Sequence, residues 1–130
     1  MVNIQKILES CGNEIPALLA TSIVNIESGL GIAHYSINAN FDPAVSSAAF
    51  AEVIKQNQMA LDFLGGYETV GETEDILITT DKVYILLRQL GDKHYHGVAV
   101  SKKSNLGLAR IIMKKYEIDF LETLKELGEL

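Results

Sequence analysis

Residues 76–110 read ILITTDKVYILLRQLGDKHYHGVAVSKKSNLGLAR, three strand-like runs separated by tight turn signals and leading into a helix. Asp81-Lys82 divides ILITT from VYILLRQL, and Gly91-Asp92-Lys93 divides that run from HYHGVAVS. Three antiparallel strands joined by two hairpins satisfy this punctuation. Residues 83–87 are apolar without alternation, and a strand with no polar face needs cover on both sides. The pattern therefore predicts that the middle strand of the three is central, with helices on both faces of the sheet.

A chain of 130 residues suits one domain, and 48% hydrophobic with 22% charged residues excludes a disordered polymer. A domain of this size buries roughly two thirds of its unfolded surface and needs no disulfide or metal to fold. The single cysteine, Cys11, has no internal partner and reads as a small core residue of a protein in a reducing compartment. Charges at Lys6 and Glu9 interrupt the N-terminal apolar residues, and no later run approaches the ~18 apolar residues of a membrane span. A cytoplasmic location without membrane insertion is expected. The net charge of -6 argues against nucleic acid as a partner, because phosphate binding requires a concentrated basic face.

From the N-terminus, Ile4, Ile7 and Leu8 recur at helical spacing, and Gly12-Asn13 is expected to end that helix. Pro16 then opens an apolar, β-branched run over residues 18–26, Glu27-Ser28-Gly29 turns the chain, and residues 30–37 return as the second strand of a hairpin. Asp42-Pro43 supplies an N-cap and a first-turn proline for a long helix that Gly65-Gly66 closes. The resulting class is α+β, in the order αββαβββα, with no interdomain linker or internal repeat. At about 100° per residue, Val45, Phe63, Ala49, Ala60, Val53, Leu64, Phe50, Leu61 and Ile54 of the long helix fill an arc of roughly 180°, and Met59 widens it to roughly 220°. One core contact needs only about half of that. The excess apolar surface calls for a partner outside the protomer, and a twofold axis lets one patch bury itself against its own copy.

These features together resemble the Roadblock family, which includes the dynein light chains of that name and bacterial regulators of small Ras-like GTPases. The resemblance rests on IQKILESC followed by Ile15-Pro16 and a hairpin turning at Ser28-Gly29, on the long middle helix, and on VYILLRQLGDKHYHGVAVSKKSNLGLARIIMKK. NLGLAR after the last strand is its most specific part. It implies a Roadblock/profilin-like α/β/α sandwich with a five-stranded antiparallel sheet and a Roadblock-type domain over residues 1–115; residues 116–130 extend beyond the shared core and are expected to form a helical extension of the same domain. Members dimerise through the middle helix and the adjacent edge strand, which implies a dimer interface at Phe50, Ile54, Asn57 and Leu61 with Ile76, Leu77, Ile78, Thr79 and Thr80. The implied function is that of a non-catalytic homodimeric adaptor that modulates the nucleotide cycle of a Ras-like GTPase, with a structural scaffold of a motility or transport complex as the alternative. Ala17 stands where the family's first proline is usually followed by glycine.

Catalytic signatures are sparse. The chain contains neither a GxxxxGK[ST] phosphate loop nor a GxSxG nucleophile elbow, and an enzyme or a bound cofactor is not expected. His94 and His96 share one face of a strand by its period of two, and with His34 or Cys11 they form the competing reading of a metal site or enzyme. Glu68, Glu72, Glu74 and Asp75 read as a solvated loop, and Gly29 and Gly31 as turning residues. Lys102 and Lys103 precede Ser104, the expected N-cap of the last helix, where an anion or a partner's carboxylate would offset the positive helix end. Beyond it, Ile118, Leu121, Leu124 and Leu127 recur among acidic residues and predict an amphipathic tail that docks on a protein surface.

Overall fold

The computed structural model describes residues 3–130; the first two positions of the expected 1–115 domain lie outside the described residues. The elements are α1 (Ile4–Glu14), β1 (Leu18–Asn25), β2 (Gly31–Ser36), α2 (Pro43–Phe63), α3 (Tyr67–Val70), β3 (Ile76–Thr79), β4 (Val83–Leu90), β5 (His94–Ser101) and α4 (Leu106–Glu126). Five antiparallel strands form one sheet in the order β2-β1-β5-β4-β3. Helices α1 and α4 pack together on one face and α2 crosses the other, completing the α/β/α sandwich.

The centre of the sheet is β5, not β4. Pairing of β1 with β5 brings the N-terminal hairpin alongside the last strand, leaving β4 between β5 and the edge strand β3. Accordingly β5 is buried through its first five residues, while residues 83–85 of β4 are only half-buried. The core divides by face. Leu8, Cys11, Ile23, Leu86, Val98, Met113 and Phe120 fill the α1/α4 side; Val24, Ala51, Ile54, Leu87 and Tyr95 fill the α2 side.

Gly12 does not end α1, which continues to Glu14 and is capped at Ile15. A Cβ at Gly12 would lie 2.9 Å from Leu18 and 3.0 Å from Tyr35. The glycine therefore allows the helix to press against the sheet. The chain then turns through Ala17 at φ 57, a left-handed conformation that costs an L-residue about 1–2 kcal/mol. Neighbouring contacts hold it there: Ser101 N donates to the Ala17 carbonyl at 3.0 Å and Ser104 Oγ to the Pro16 carbonyl at 2.6 Å.

Gly29 does turn the chain, at φ 72, whereas Gly31 lies within β2, where an added Cβ would collide with the His34 ring. Asp42 caps α2 as expected, accepting from Ala44 N at 3.0 Å. Between Gly66 and Gly71 the short α3 interrupts what the sequence presents as an open loop.

At the C-terminus, the tail continues α4 without a break to Glu126 and docks on its own protomer. Its buried seam is Met113, Phe120, Thr123 and Leu124, with Tyr116 and Leu121 half-buried. Ile118 and Leu127 are exposed. The expected 118-121-124-127 face fails because steps of three drift by about 60° each around an α-helix, half a circumference over three steps.

Candidate functional site

Helix α2 touches its own sheet through a narrow stripe of Ser47, Ala51 and Ile54. Ser47 Oγ donates to the Gly29 carbonyl at 2.9 Å and Tyr95 Oη donates to the Ser47 carbonyl at 2.9 Å, fixing the first half of the helix over β1 and β5. On the opposite side, Val45 and Phe63 are 81% and 84% exposed, with Val53, Met59 and Leu64 also exposed. The wide apolar arc thus divides into a buried stripe and an uncovered one.

Among the residues expected at a dimer interface, Ile54 is only 6% exposed and belongs to the protomer's own core, in the cluster with Val24, Ile26, Leu87 and Tyr95. Its position on α2 turns it to the sheet. A charge at Ile54 would therefore unfold the protomer, and Val53 and Phe63 occupy the outward positions instead. Phe50 and Leu61 are half-buried, and Asn57 donates to Thr73 Oγ1 at 2.9 Å, holding the loop that leads into β3. Edge strand β3 ends at Thr79, with Thr80 in the following turn. Ile76 and Ile78 are half-buried on the α2 side, while Leu77 and Thr79 are exposed. Beside them, Phe41, Phe50, Ile85, Leu87 and Ala99 line an apolar cleft of about 290 Å³ between α2 and the sheet.

The two lysines before the last helix differ in their surroundings, and the N-cap is not the expected residue. Asn105, not Ser104, is the N-cap of α4, accepting from Leu108 N at 3.0 Å. The Ser104 hydroxyl is occupied by the Pro16 carbonyl. Lys102 Nζ donates to the Thr80 carbonyl at 2.9 Å and sits 4.5 Å from the Tyr84 ring centroid, which ties the β5–α4 turn to the β3–β4 hairpin. Lys103 is exposed.

The histidines do not converge. His34 pairs with Ser22 and His96 with Ile23, so their side chains leave opposite faces of the sheet. Among the described residues no group of three or more His, Cys, Asp or Glu is placed to hold a metal ion. His96 is fully buried, its Nε2 2.9 Å from Thr21 Oγ1 and its ring 5.0 Å from that of Phe120. Because the Thr21 hydroxyl donates to the Gly97 carbonyl at 2.8 Å, His96 Nε2 carries the proton and donates to Thr21. Burial pushes its pKa down to about 3, with the nearby Arg88 adding to the effect. His94 is also buried, and desolvation lowers its pKa although Glu129 lies 3.7 Å away. Burial raises the Cys11 thiol to about 12, far from the thiolate a nucleophile or metal ligand requires.

The acidic residues after α2 are partly engaged. Asp75 accepts from Arg110 Nε at 2.8 Å and Nη2 at 3.1 Å, and the Glu74 carbonyl accepts from Arg88 at 3.0 Å, which also reaches Glu117 at 3.3 Å. This network anchors the segment before β3 to α4. Sequence reasoning missed it because its partners are 14 to 35 residues apart.

The helix layers, the strand order and the uncovered α2 face can be set beside solved structures. Myxococcus xanthus MglB superposes with a TM-score of 0.82 over 98% of this chain and 95% of that one, at 15% identity. A Roadblock/LC7 domain from Streptomyces avermitilis matches with a TM-score of 0.79 over 99% and 100% of the two chains, at 8% identity. The fold is that of the Roadblock/LC7 domains. The Roadblock sandwich extends to profilins, since Acanthamoeba castellanii profilin IA has a TM-score of 0.63 at 13% identity, covering 93% of this chain and 98% of that one. No family model matches the sequence, and no curated protein matches it. Among the described residues no helix is long and apolar enough to cross a membrane.

Proposed function

We propose that the chain is a cytoplasmic, non-catalytic homodimer that binds a small Ras-like GTPase and modulates its nucleotide cycle. The observation carrying this reading is the outward apolar face of α2 on a Roadblock fold. In its motifs and its fold the chain resembles a family that includes bacterial regulators of such GTPases.

The outward face is self-complementary. At about 100° per residue, Val45, Ala49, Val53, Ala60 and Phe63 lie within an arc of roughly 80°. Two copies of α2 running antiparallel about a twofold axis at the middle of the helix set Val45 against Phe63 of the second copy and Ala49 against Ala60. The small alanines permit close approach, and the large residues pack at the ends. Glu52 and Lys55, an exposed pair 3.1 Å apart in one chain, flank this seam and can exchange partners across the axis. The same association covers the half-buried Ile76, Ile78 and Ile85 and leaves the β3 edge beside its own copy. Phe50, Asn57 and Leu61 border the contact, and Ile54 supports it from beneath.

The test is GTP hydrolysis by a Ras-like GTPase recovered with this protein from its native cytoplasm. Accelerated turnover, or altered nucleotide release, supports the regulator. Stable binding with an unchanged nucleotide cycle supports the scaffold instead.

A further inference from the structure

We infer that the outward face of α4 is a second docking surface, on the side of the sheet opposite α2, and that its occupant is an acidic amphipathic helix of a partner protein. Ile111 and Ile118 are 64% and 66% exposed. They stand seven residues apart on one line of the helix, directly opposite the buried seam of Ala109, Met113 and Phe120. Nothing among the described residues covers them. Leu108, also exposed, extends the row by a further turn. Spacings of three and seven residues along such a row match the anchors by which one helix receives another.

Charge decides the chemistry of the occupant. The chain carries a net -6, yet residues 102–115 hold Lys102, Lys103, Arg110, Lys114 and Lys115 and no carboxylate. Arg110 is matched by Asp75, and Lys115 by Glu14 at 2.8 Å. Lys102 is held by Thr80 and Tyr84. Lys103 and Lys114 make no ion pair among the described residues and are exposed. Lys114 lies between Ile111 and Ile118, so carboxylates flanking an apolar seam would meet both features at once. An anionic bilayer fits less well. The apolar row of Leu108, Ile111 and Ile118 contains no aromatic residue to seat at a lipid interface.

The test uses the full chain and a synthetic helical peptide with a leucine seam flanked by glutamates, its charge-reversed counterpart with lysines, and phosphatidylserine vesicles. Fluorescence anisotropy should show saturable binding of the glutamate peptide only, weakening as salt is raised. Ile111→Ser and Lys114→Glu should each reduce affinity about tenfold, the scale expected for a central anchor, with circular dichroism unchanged because both side chains face solvent. Val45→Glu on α2 should leave this binding intact, which separates it from the dimer proposal. Equal binding of both peptides, no binding, insensitivity to the α4 substitutions, or sedimentation with vesicles would overturn the inference.

Discussion

Tyr95 Oη donates to the Ser47 carbonyl at 2.9 Å, joining the central strand to α2 through a hydroxyl that is almost wholly buried. Burial raises the phenol's pKa, so it remains a donor at any physiological pH. Tyr95→Phe should cost about 1 kcal/mol, the usual net worth of such a bond. Denaturant unfolding measures that loss, and faster amide exchange in the first half of α2 should accompany it.

Ala17 holds a conformation that glycine adopts without strain. Ala17→Gly should raise stability by about 0.5–1 kcal/mol, since relief of left-handed strain exceeds the extra entropy of an unfolded glycine. An increase in the urea midpoint at constant m-value is the expected result. A decrease would mean that the turn relaxes to suit alanine.

Acid sensitivity should come from His96. Its folded pKa of about 3 lies below the ordinary histidine value of 6.5, so between those values the unfolded chain binds more protons than the folded one. Stability is therefore full above pH 6.5 and is lost as pH falls, by about 2 kcal/mol at pH 5. Melting curves at pH 7 and pH 5 measure this difference, and His96→Leu should reduce it. His94, also depressed, contributes in the same direction.

The tail provides a contrast within one helix. Phe120→Ala should destabilise by about 3–5 kcal/mol because the ring is completely buried against His96 and Tyr116. Ile118→Ala should leave stability within about 0.5 kcal/mol, as expected at an exposed position. Comparable losses at both sites would contradict the direction in which α4 faces its sheet.

Local chemistry made much of this fold legible. Asp42-Pro43 and Gly65-Gly66 bracket α2 by capping geometry, and Asp81-Lys82 and Gly91-Asp92-Lys93 separate strands whose limits follow from their turns. What depended on distant residues was not legible. The centrality of β5 arises from its pairing with β1, and two histidines and a glycine disguise HYHGVAVS as a polar strand. Gly12 resembles a helix terminator until Leu18 and Tyr35 are seen against it. At the α2 face, the sequence showed that too much of the helix is apolar, but separating Ile54 from Val53 required knowing which side meets the sheet.

The most direct measurement of the central claim is the molar mass of the purified chain by light scattering across a concentration series, alone and as Val53→Glu and Phe63→Glu. Twice the 14.3 kDa protomer mass is expected for the unmodified chain, with both variants folded and shifted to monomer by charges placed in the α2 seam. A monomer at every concentration, or a dimer indifferent to both substitutions, would contradict the account.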